Sequence, residues 1–398
     1  MTAYLNALGV VCALGRGADE VAGKLFAGDC SGMQRASGWV PERALTIGAV
    51  NGELAAIPAE LQAQNSRNNQ LLLEAALQIR DAIEQAIATF GRERIAIVLG
   101  TSTSGIDEAS QGIAHYLQHQ QFPADYTYQQ QELSAPASFL ADWLGISGPA
   151  YVISTACTSS ARALMSAQRL LDMNLCDAVL CGGVDTLCKL TLNGFSALEA
   201  VSDERCNPFS VNRHGINIGE AAVLFVMSRQ PAADHAIALL GAGASSDAHH
   251  ISAPEPGGRG AVQAMQQALK RAGLQADHIG YLNLHGTATQ HNDAMESHAV
   301  AQVFPEGVPC SSTKPMTGHT LGAAGALEAA FCWLSLNHDG ALAPHVWDGH
   351  GDPALPALNW VTAGQTLAPA PQRCLMSNSF AFGGNNVSLI IEIGRAHV

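Results

Sequence analysis

Cys157 stands in the run Ile153-Ser154-Thr155-Ala156-Cys157-Thr158-Ser159-Ser160-Ala161-Arg162. Apolar, β-branched residues from Tyr151 to Ile153 lead into it, and an Ala/Leu-rich run with helical spacing follows. The pattern predicts a thiol at a strand-to-helix turn. Unpaired N–H groups and the positive dipole end of a helix favour a thiolate there, the nucleophilic form of cysteine. A buried structural cysteine would look the same in isolation, so the neighbouring chemistry has to decide.

Three other segments carry reactive residue types. His285-Gly286-Thr287-Ala288-Thr289-Gln290-His291-Asn292-Asp293 follows the apolar run Tyr281–Leu284, so a loop can present His285 to a cleft. His285 and His291 are six apart, which is not the i, i+4 spacing of helical zinc sites, and a metal pair is discounted. Lys314-Pro315-Met316-Thr317-Gly318-His319 precedes a Gly/Ala-rich helix that contains Glu328. A lysine near a histidine disfavours its protonation, and Glu328 could hold the lysine. Asn378-Ser379-Phe380-Ala381-Phe382-Gly383-Gly384-Asn385-Asn386 lies between two strands, where the paired glycines permit positive φ or close approach to a ligand.

Together these segments resemble the elongating β-ketoacyl-acyl carrier protein synthases of the thiolase superfamily. The likeness runs from Leu8-Gly9-Val10-Val11, through Ser246-Asp247-Ala248-His249-His250, to the Phe-Gly-Gly loop. It implies that Cys157 accepts an acyl group from an acyl carrier protein thioester. His285 and His319 would stabilise the enolate formed when a malonyl thioester loses carbon dioxide, with Lys314 and Glu328 in support. The backbone N–H groups of Cys157 and Phe380 would form an oxyanion hole, and Phe380 matches a gate. Thr287 and Thr289 match positions that bond the pantetheine arm; Phe382, Gly383 and Ile106 match substrate-lining positions. No metal or redox cofactor is implied, because phosphopantetheine arrives on the carrier protein.

Two histidines with one cysteine differ from initiating synthases, which pair one His with an Asn, and from thiolases, which carry a second Cys in the C-terminal glycine loop. A noncatalytic chain-length partner of the same fold would lack Cys157. The chain departs from the usual pattern at Ala381 (commonly Gly), Asn385 (commonly Thr), His214 (commonly Asp) and Gln290-His291-Asn292. These departures suit a specialised fatty-acid-like, polyene or polyketide pathway. Asp107 and Glu108 follow Ile106 in a region that closes the acyl tunnel of relatives; the expectation is that both carboxylates point to solvent.

The elements that position these residues are short. Strands are expected at Leu5–Val11, Ile95–Gly100, Tyr151–Ser154, Ala178–Gly182 and Val223–Met227, then at Ile237–Gly241, Tyr281–Leu284, Val308–Ser311, Leu375–Ser377 and Val387–Ile393. Helices are expected at Asn69–Ala88, Ser159–Asp172, Ala261–Ala272 and Gly322–Leu336. Alternation of strand and helix predicts an α/β fold. Five strands fall in each half, which predicts two copies of one plan: a nucleophile-bearing half over residues 1–230 and a second half over 231–398. The resemblance implies the thiolase fold, with duplicated halves in a layered α-β-α-β-α arrangement. Asp107–Ala141 reads as a surface excursion, and Pro344–Thr366 as a loop.

Composition bounds the rest. The 398 residues are 47% hydrophobic, enough for a large core. The formal net charge of −14 argues against broad nucleic-acid binding. No apolar run reaches the roughly 18 residues of a membrane span. Met1-Thr2-Ala3-Tyr4 opens directly into an apolar run rather than a secretory leader. Ten scattered cysteines without paired CxxC spacing suit free thiols in a cytoplasmic setting. Relatives are dimers, so a homodimer or a heterodimer with a related subunit is expected. Arg67 and Arg213 are candidates by resemblance for docking an acidic carrier protein.

Overall fold

The computed structural model describes residues 2–233, 236–368 and 374–393. The closing Gly394–Val398, native or not, lies outside the described residues. Ten principal strands form: β1 Ala3–Cys12, β2 Ile95–Gly100, β3 Ala150–Ile153, β4 Ala178–Asp185 and β5 Ala221–Ser228 in the first half, then β6 Ile237–Ser246, β7 Ile279–Asn283, β8 Pro309–Ser311, β9 Cys374–Phe380 and β10 Asn385–Ile393 in the second. The apolar runs are legible because these strands are covered on both faces; every residue of β2, β4 and β5 is buried.

Each half has the same sheet. The first runs β3-β2-β4-β5-β1 and the second β8-β7-β9-β10-β6, with Asn359–Trp360 added beyond β8. Numbered within each half, both orders are 3-2-4-5-1. The directions match too. The second strand is parallel to the third and fourth, the fifth is antiparallel to the fourth, and the first is antiparallel to the fifth. The duplication expected from element order is therefore a duplication of topology. The sheets meet where β1 pairs antiparallel with β6 at Ala3–Leu239, Tyr4–Ala238 and Leu5–Ile237.

The longer helices are α1 Ala18–Ala27, α2 Arg67–Gln78, α3 Arg80–Phe90, α4 Ile106–His119, α5 Ala135–Leu144, α6 Ser159–Asp172, α7 Lys189–Ala197, α8 Arg259–Ala272, α9 Gln290–Val303 and α10 Ala324–Asn337, and a single turn of helix spans Lys314–Thr317. Helices α2, α3 and α5 cover the outer face of the first sheet. Helices α8 and α9 cover the outer face of the second. Between the sheets lie α6 and α10, whose side chains share one core with both inner faces. Five layers result. The central pair must approach closely: a Cβ on Gly325 would lie 2.7 Å from the Ala161 Cβ. Small residues in the runs after Cys157 and His319 are what let these two helices touch.

Several expectations need correction. Asn69–Ala88 is two helices, parted at Ile79, whose φ of −117° and ψ of 23° are not helical. Asp107–Ala141 is largely helical, as α4 and the start of α5. Asp107 and Glu108 do not simply face water. Asp107 accepts from the Lys189 N–H at the start of α7, and Glu108 from the Arg67 N–H at the start of α2. Each acid sits at a helix N-terminus, where an anion is stabilised. A second, three-stranded sheet of Met33–Val40, Arg43–Gly48 and Ile218–Gly219 was not expected.

Candidate active site

Strand β3 ends at Ile153, and the chain turns through Thr155-Ala156-Cys157-Thr158 into α6. Ala156 holds φ at 53°, a left-handed conformation that costs an L-residue about 1 kcal/mol. Local bonds hold the turn: the Thr155 N–H donates to Ser159 Oγ at 2.9 Å, and the two hydroxyls of Thr155 and Thr158 meet at 2.9 Å. The turn drives Cys157 into the interior, 5% exposed.

His319 Nε2 lies 2.9 Å from Cys157 Sγ. His319 is fixed through its backbone: its N–H donates to the Asn217 carbonyl at 2.7 Å, and its carbonyl accepts from Gly219 at 3.0 Å. His285 stands beside it, ring centroids 5.3 Å apart and edge to face. The loop carrying His285 leaves β7 and is held by a carboxylate. Glu296 of α9 accepts from the His285 N–H at 2.8 Å and the Gly286 N–H at 2.7 Å. Asp293, one turn earlier, accepts from Ala288 N–H and Phe209 N–H.

Lys314 is 2% exposed. Its Nζ donates to the His285 carbonyl and to Glu328 Oε1, and lies 3.5 Å from His285 Nδ1. An ammonium can only donate. His285 Nδ1 is therefore the acceptor, and the ring proton sits on Nε2, facing the cleft.

Burial, and then the Lys314 charge, hold both histidines well below the usual imidazole range, so both rings are neutral. Burial pushes the Cys157 thiol up to about 12, against the pull of Lys314 and of the Phe382 and Cys157 N–H groups. The resting thiolate expected from the helix N-terminus is thus not favoured, because desolvation outweighs the dipole. Burial also raises the Glu328 carboxyl to about 7, against the lowering effect of Lys314.

The second N–H facing Cys157 Sγ comes from Phe382 rather than Phe380. Phe380 ends β9 in register with Asn386, so its backbone belongs to the sheet ladder. Its ring lies 6.2 Å from His285, as a wall. The chain leaves the ladder only at Ala381, which frees the N–H two residues on. Phe382 packs its ring on Phe195 at 5.5 Å. Gly384 holds φ at 75°, and a Cβ there would lie 2.8 Å from the Asp247 Cβ, so the loop needs glycine at that position.

A cleft of about 580 Å³ reaches these groups. Cys157, His285, His319, Thr287, Thr289, Phe380 and Phe382 line it. Thr287 and Thr289 join hydroxyls at 3.0 Å, and Thr289 caps α9 by accepting from the Asn292 N–H. Ile106 at the start of α4 and Gly383 lie outside the lining; the Gly383 N–H donates to the Ile251 carbonyl at 2.8 Å. Neither candidate docking arginine presents a free charge. Arg67 pairs with buried Glu220, and Arg213, 3% exposed, pairs with Asp352.

Sequence reasoning missed Glu296 and Asp185. The buried Asp185, closing β4, accepts from Thr101 Oγ1, Ser102 N–H, both donors of Thr103 and Gly322 N–H. Acids at the end of an apolar strand, and three apart at the start of a helix, were the available signals. As for metals, the ligand atoms of Cys157, His285 and His319 lie within 4.8 Å of one another. The adjacent Lys314 ammonium opposes a resident cation there.

Residues 23–233 match the description "Beta-ketoacyl synthase, N-terminal domain", and residues 237–346 match "Beta-ketoacyl synthase, C-terminal domain". A mitochondrial 3-oxoacyl-[acyl-carrier-protein] synthase of Arabidopsis thaliana is 37% identical over 267 residues, covering 62% of this chain and 57% of that protein. The match therefore spans less than two thirds of that relative's length. A ketosynthase (ApeO) solved in complex with its chain length factor (ApeC) from Xenorhabdus doucetiae is 49% identical, with a TM-score of 0.93 over 99% of this chain and 98% of that one. The ishigamide ketosynthase/chain length factor is 26% identical, with a TM-score of 0.87 over 99% of both chains. With the duplicated sheet and the Cys157–His319–His285 arrangement, these matches establish that the chain belongs to the β-ketoacyl synthase family.

Proposed function

We propose that the chain is a β-ketoacyl-acyl carrier protein synthase, an acyltransferase that performs a decarboxylative condensation. One observation carries this reading: a thiol at a helix start, 2.9 Å from a neutral histidine, with a second neutral histidine facing the same cleft. The half over 1–230 supplies the nucleophile, and the half over 231–398 supplies the histidines and the glycine loop.

In the first step the thiol proton moves to His319 Nε2, and Cys157 Sγ attacks the carbonyl carbon of an acyl thioester. The C–S bond to the carrier's pantetheine breaks, and the departing sulfur takes the proton. In the second step a malonyl thioester loses carbon dioxide. The electron pair of the broken C–C bond becomes an enolate, whose oxygen accepts a hydrogen bond from the N–H of His285 Nε2. The new carbanion attacks the Cys157 thioester carbonyl. Its oxygen accepts from the N–H groups of Cys157 and Phe382, each such donor typically contributing about 2.7–4 kcal/mol. Collapse releases the β-ketoacyl product and expels Cys157 as a thiolate, which takes a proton from solvent to become the thiol again. Neutral imidazoles serve better than cations here, because His319 must have a free Nε2 to accept the thiol proton and His285 must donate an N–H without passing its proton to the enolate.

The substrates are carrier-bound, so phosphopantetheine arrives with the partner. A heterodimer with a chain-length-factor-like subunit, in a specialised polyene or polyketide pathway of the cytoplasm, is the arrangement we favour, because two of the related structures are ketosynthases with such a partner. Among the described residues, no helix is long and apolar enough to cross a membrane.

Intact-mass measurement after mixing with acyl carrier protein loaded with acyl groups tests the reading. An acyl adduct that vanishes in Cys157→Ala, followed by β-ketoacyl product on adding malonyl carrier protein, is expected. No adduct from any acyl donor, alone or with the partner subunit, would overturn it.

A further inference from the structure

The segment Pro344–Thr366 supplies no group to the cleft, yet it buries a histidine behind it. His345 is 7% exposed and lies outside the cleft lining. Its ring stacks on Trp360, with centroids 4.1 Å apart and 15° between planes, and Trp347 lies 5.2 Å away. Packing alone would be served by any flat ring, so the ring nitrogens decide what this one is for. Both are engaged. The Ser312 N–H lies 3.2 Å from Nδ1 and can only donate. The Pro208 carbonyl lies 3.2 Å from Nε2 and can only accept. The two neighbours demand the same form, a neutral imidazole with its proton on Nε2. Burial holds the ring in that form, lowering it from an ordinary 6.5 to about 3.

From each nitrogen the contacts run on to the loop that carries His285. On one side, Ser312 Oγ donates to the Gly286 carbonyl at 2.7 Å and accepts from the Lys314 N–H at 3.4 Å. Lys314 is the residue whose ammonium fixes the His285 tautomer. Ser312 and Gly286 are pressed together: a Cβ on Gly286 would lie 2.5 Å from the Ser312 Cβ. On the other side, the residue after Pro208 donates its N–H to Asp293 at 2.7 Å, and Asp293 also accepts from the Ala288 N–H. His345 thus bridges two anchors of one loop. His319 is held by the Asn217 carbonyl and the Gly219 N–H, outside this chain of contacts.

We propose that His345 is a positioning residue for condensation, a strut between Ser312 and Pro208 that fixes the His285-Gly286-Thr287-Ala288 loop and so aims His285 Nε2 at the enolate. This rests on the condensing-enzyme reading above and adds a residue that touches neither substrate nor Cys157. It also divides the two steps. Acylation uses Cys157 and His319, which the strut does not reach, and condensation uses His285, which it does.

The test times the two steps separately. Acylation of Cys157 is followed by intact mass, and condensation by the product that acylated protein forms with malonyl carrier protein. His345→Gln removes the acceptor at the Nδ1 position, whereas the carbonyl of His345→Asn keeps one there. The Gln variant should slow condensation about tenfold, the worth of one lost hydrogen bond, and leave the acylation rate and the KM for malonyl carrier protein within about twofold. The Asn variant should recover most of the loss. Thermal unfolding checks that each variant is folded. Should the Gln variant not fold, Ser312→Ala carries the same prediction, because it cuts the chain one link nearer His285. Equal loss in both steps, unchanged condensation, or an Asn variant no better than the Gln variant would overturn the role of His345. Wild-type protein that takes no acyl group at Cys157, alone or with the partner subunit, would overturn the reaction itself and this role with it.

Discussion

The two halves share one sheet order and one set of strand directions, yet their equivalent strand ends carry different chemistry. At the end of the third strand the first half places Cys157, and the second half places Ser311 and then Lys314. At the end of the second strand the first half has Thr101-Ser102-Thr103, held by Asp185. The second half has His285-Gly286, held by Glu296. In both, a buried carboxylate gathers backbone N–H groups beyond a strand. In one half the same carboxylate also accepts from Gly322 N–H just before α10; in the other the loop so held presents an imidazole. The comparison teaches that the fold supplies strand ends and anchoring acids twice, and that division of labour was laid over an equal frame.

The largest effect that would sharpen this contrast is at Cys157. Cys157→Ala should lower condensation by more than about 10³-fold while thermal unfolding hardly moves; retained turnover would mean the first half does not supply the nucleophile. Next comes Lys314→Met. It leaves Glu328 and the His285 carbonyl without their donor, and breaking such a buried pair costs about 3–5 kcal/mol. Denaturant unfolding should show that loss, and condensation should fall more than Cys157 acylation, because the lysine orders the second half's histidine.

A third effect depends on pH. Burial raises the Glu296 carboxyl from an ordinary 4.5 to about 7. Between those values the folded protein holds a proton that the unfolded chain has lost, so stability is greatest at the acid end and declines as pH rises toward 7. The full excursion is about 3 kcal/mol. Glu296→Gln should flatten that part of the profile in denaturation series from pH 5 to 8; an unchanged slope would show that Glu296 does not titrate there. The smallest effect is Thr289→Ala. Loss of the α9 cap should cost about 1 kcal/mol, with a modest rise in the KM for carrier substrates. An unchanged Tm would remove the cap from the account.

Much of this frame is legible in the sequence, for a physical reason. Strands buried on both faces are written as unbroken apolar runs, so β2 is read to the residue and α6 likewise. The site residues sit directly after such runs, so their positions at strand ends are also readable. Half-exposed elements are another matter. The strand Met33–Val40 mixes Gln34, Arg35 and Ser37 with its apolar residues. Helix α4 leaves Ile113, Tyr116 and Leu117 exposed, so its polar and aromatic sequence looks like an excursion. Which N–H faces Cys157 was not readable at all. It depends on where β9 leaves its ladder, a matter of register that shifts the donor from Phe380 to Phe382. The buried pairing of Arg213 was equally hidden, because its partner Asp352 lies 139 residues away.

The seam between β1 and β6 has a practical consequence. Each half contains a whole sheet and its own outer helices, and the halves are joined at the β1–β6 pairs, across the core that α6 and α10 share, and by bonds such as His319 N–H to the Asn217 carbonyl and Phe209 N–H to Asp293. A gene split between β5 and β6 would yield two polypeptides, each with its own hydrophobic layer but neither with a working centre. One would carry a sulfur without its imidazoles, the other imidazoles without a sulfur. Recovery of turnover on mixing the two would then count reassembled molecules directly, which makes this chain a candidate reporter for fragment complementation.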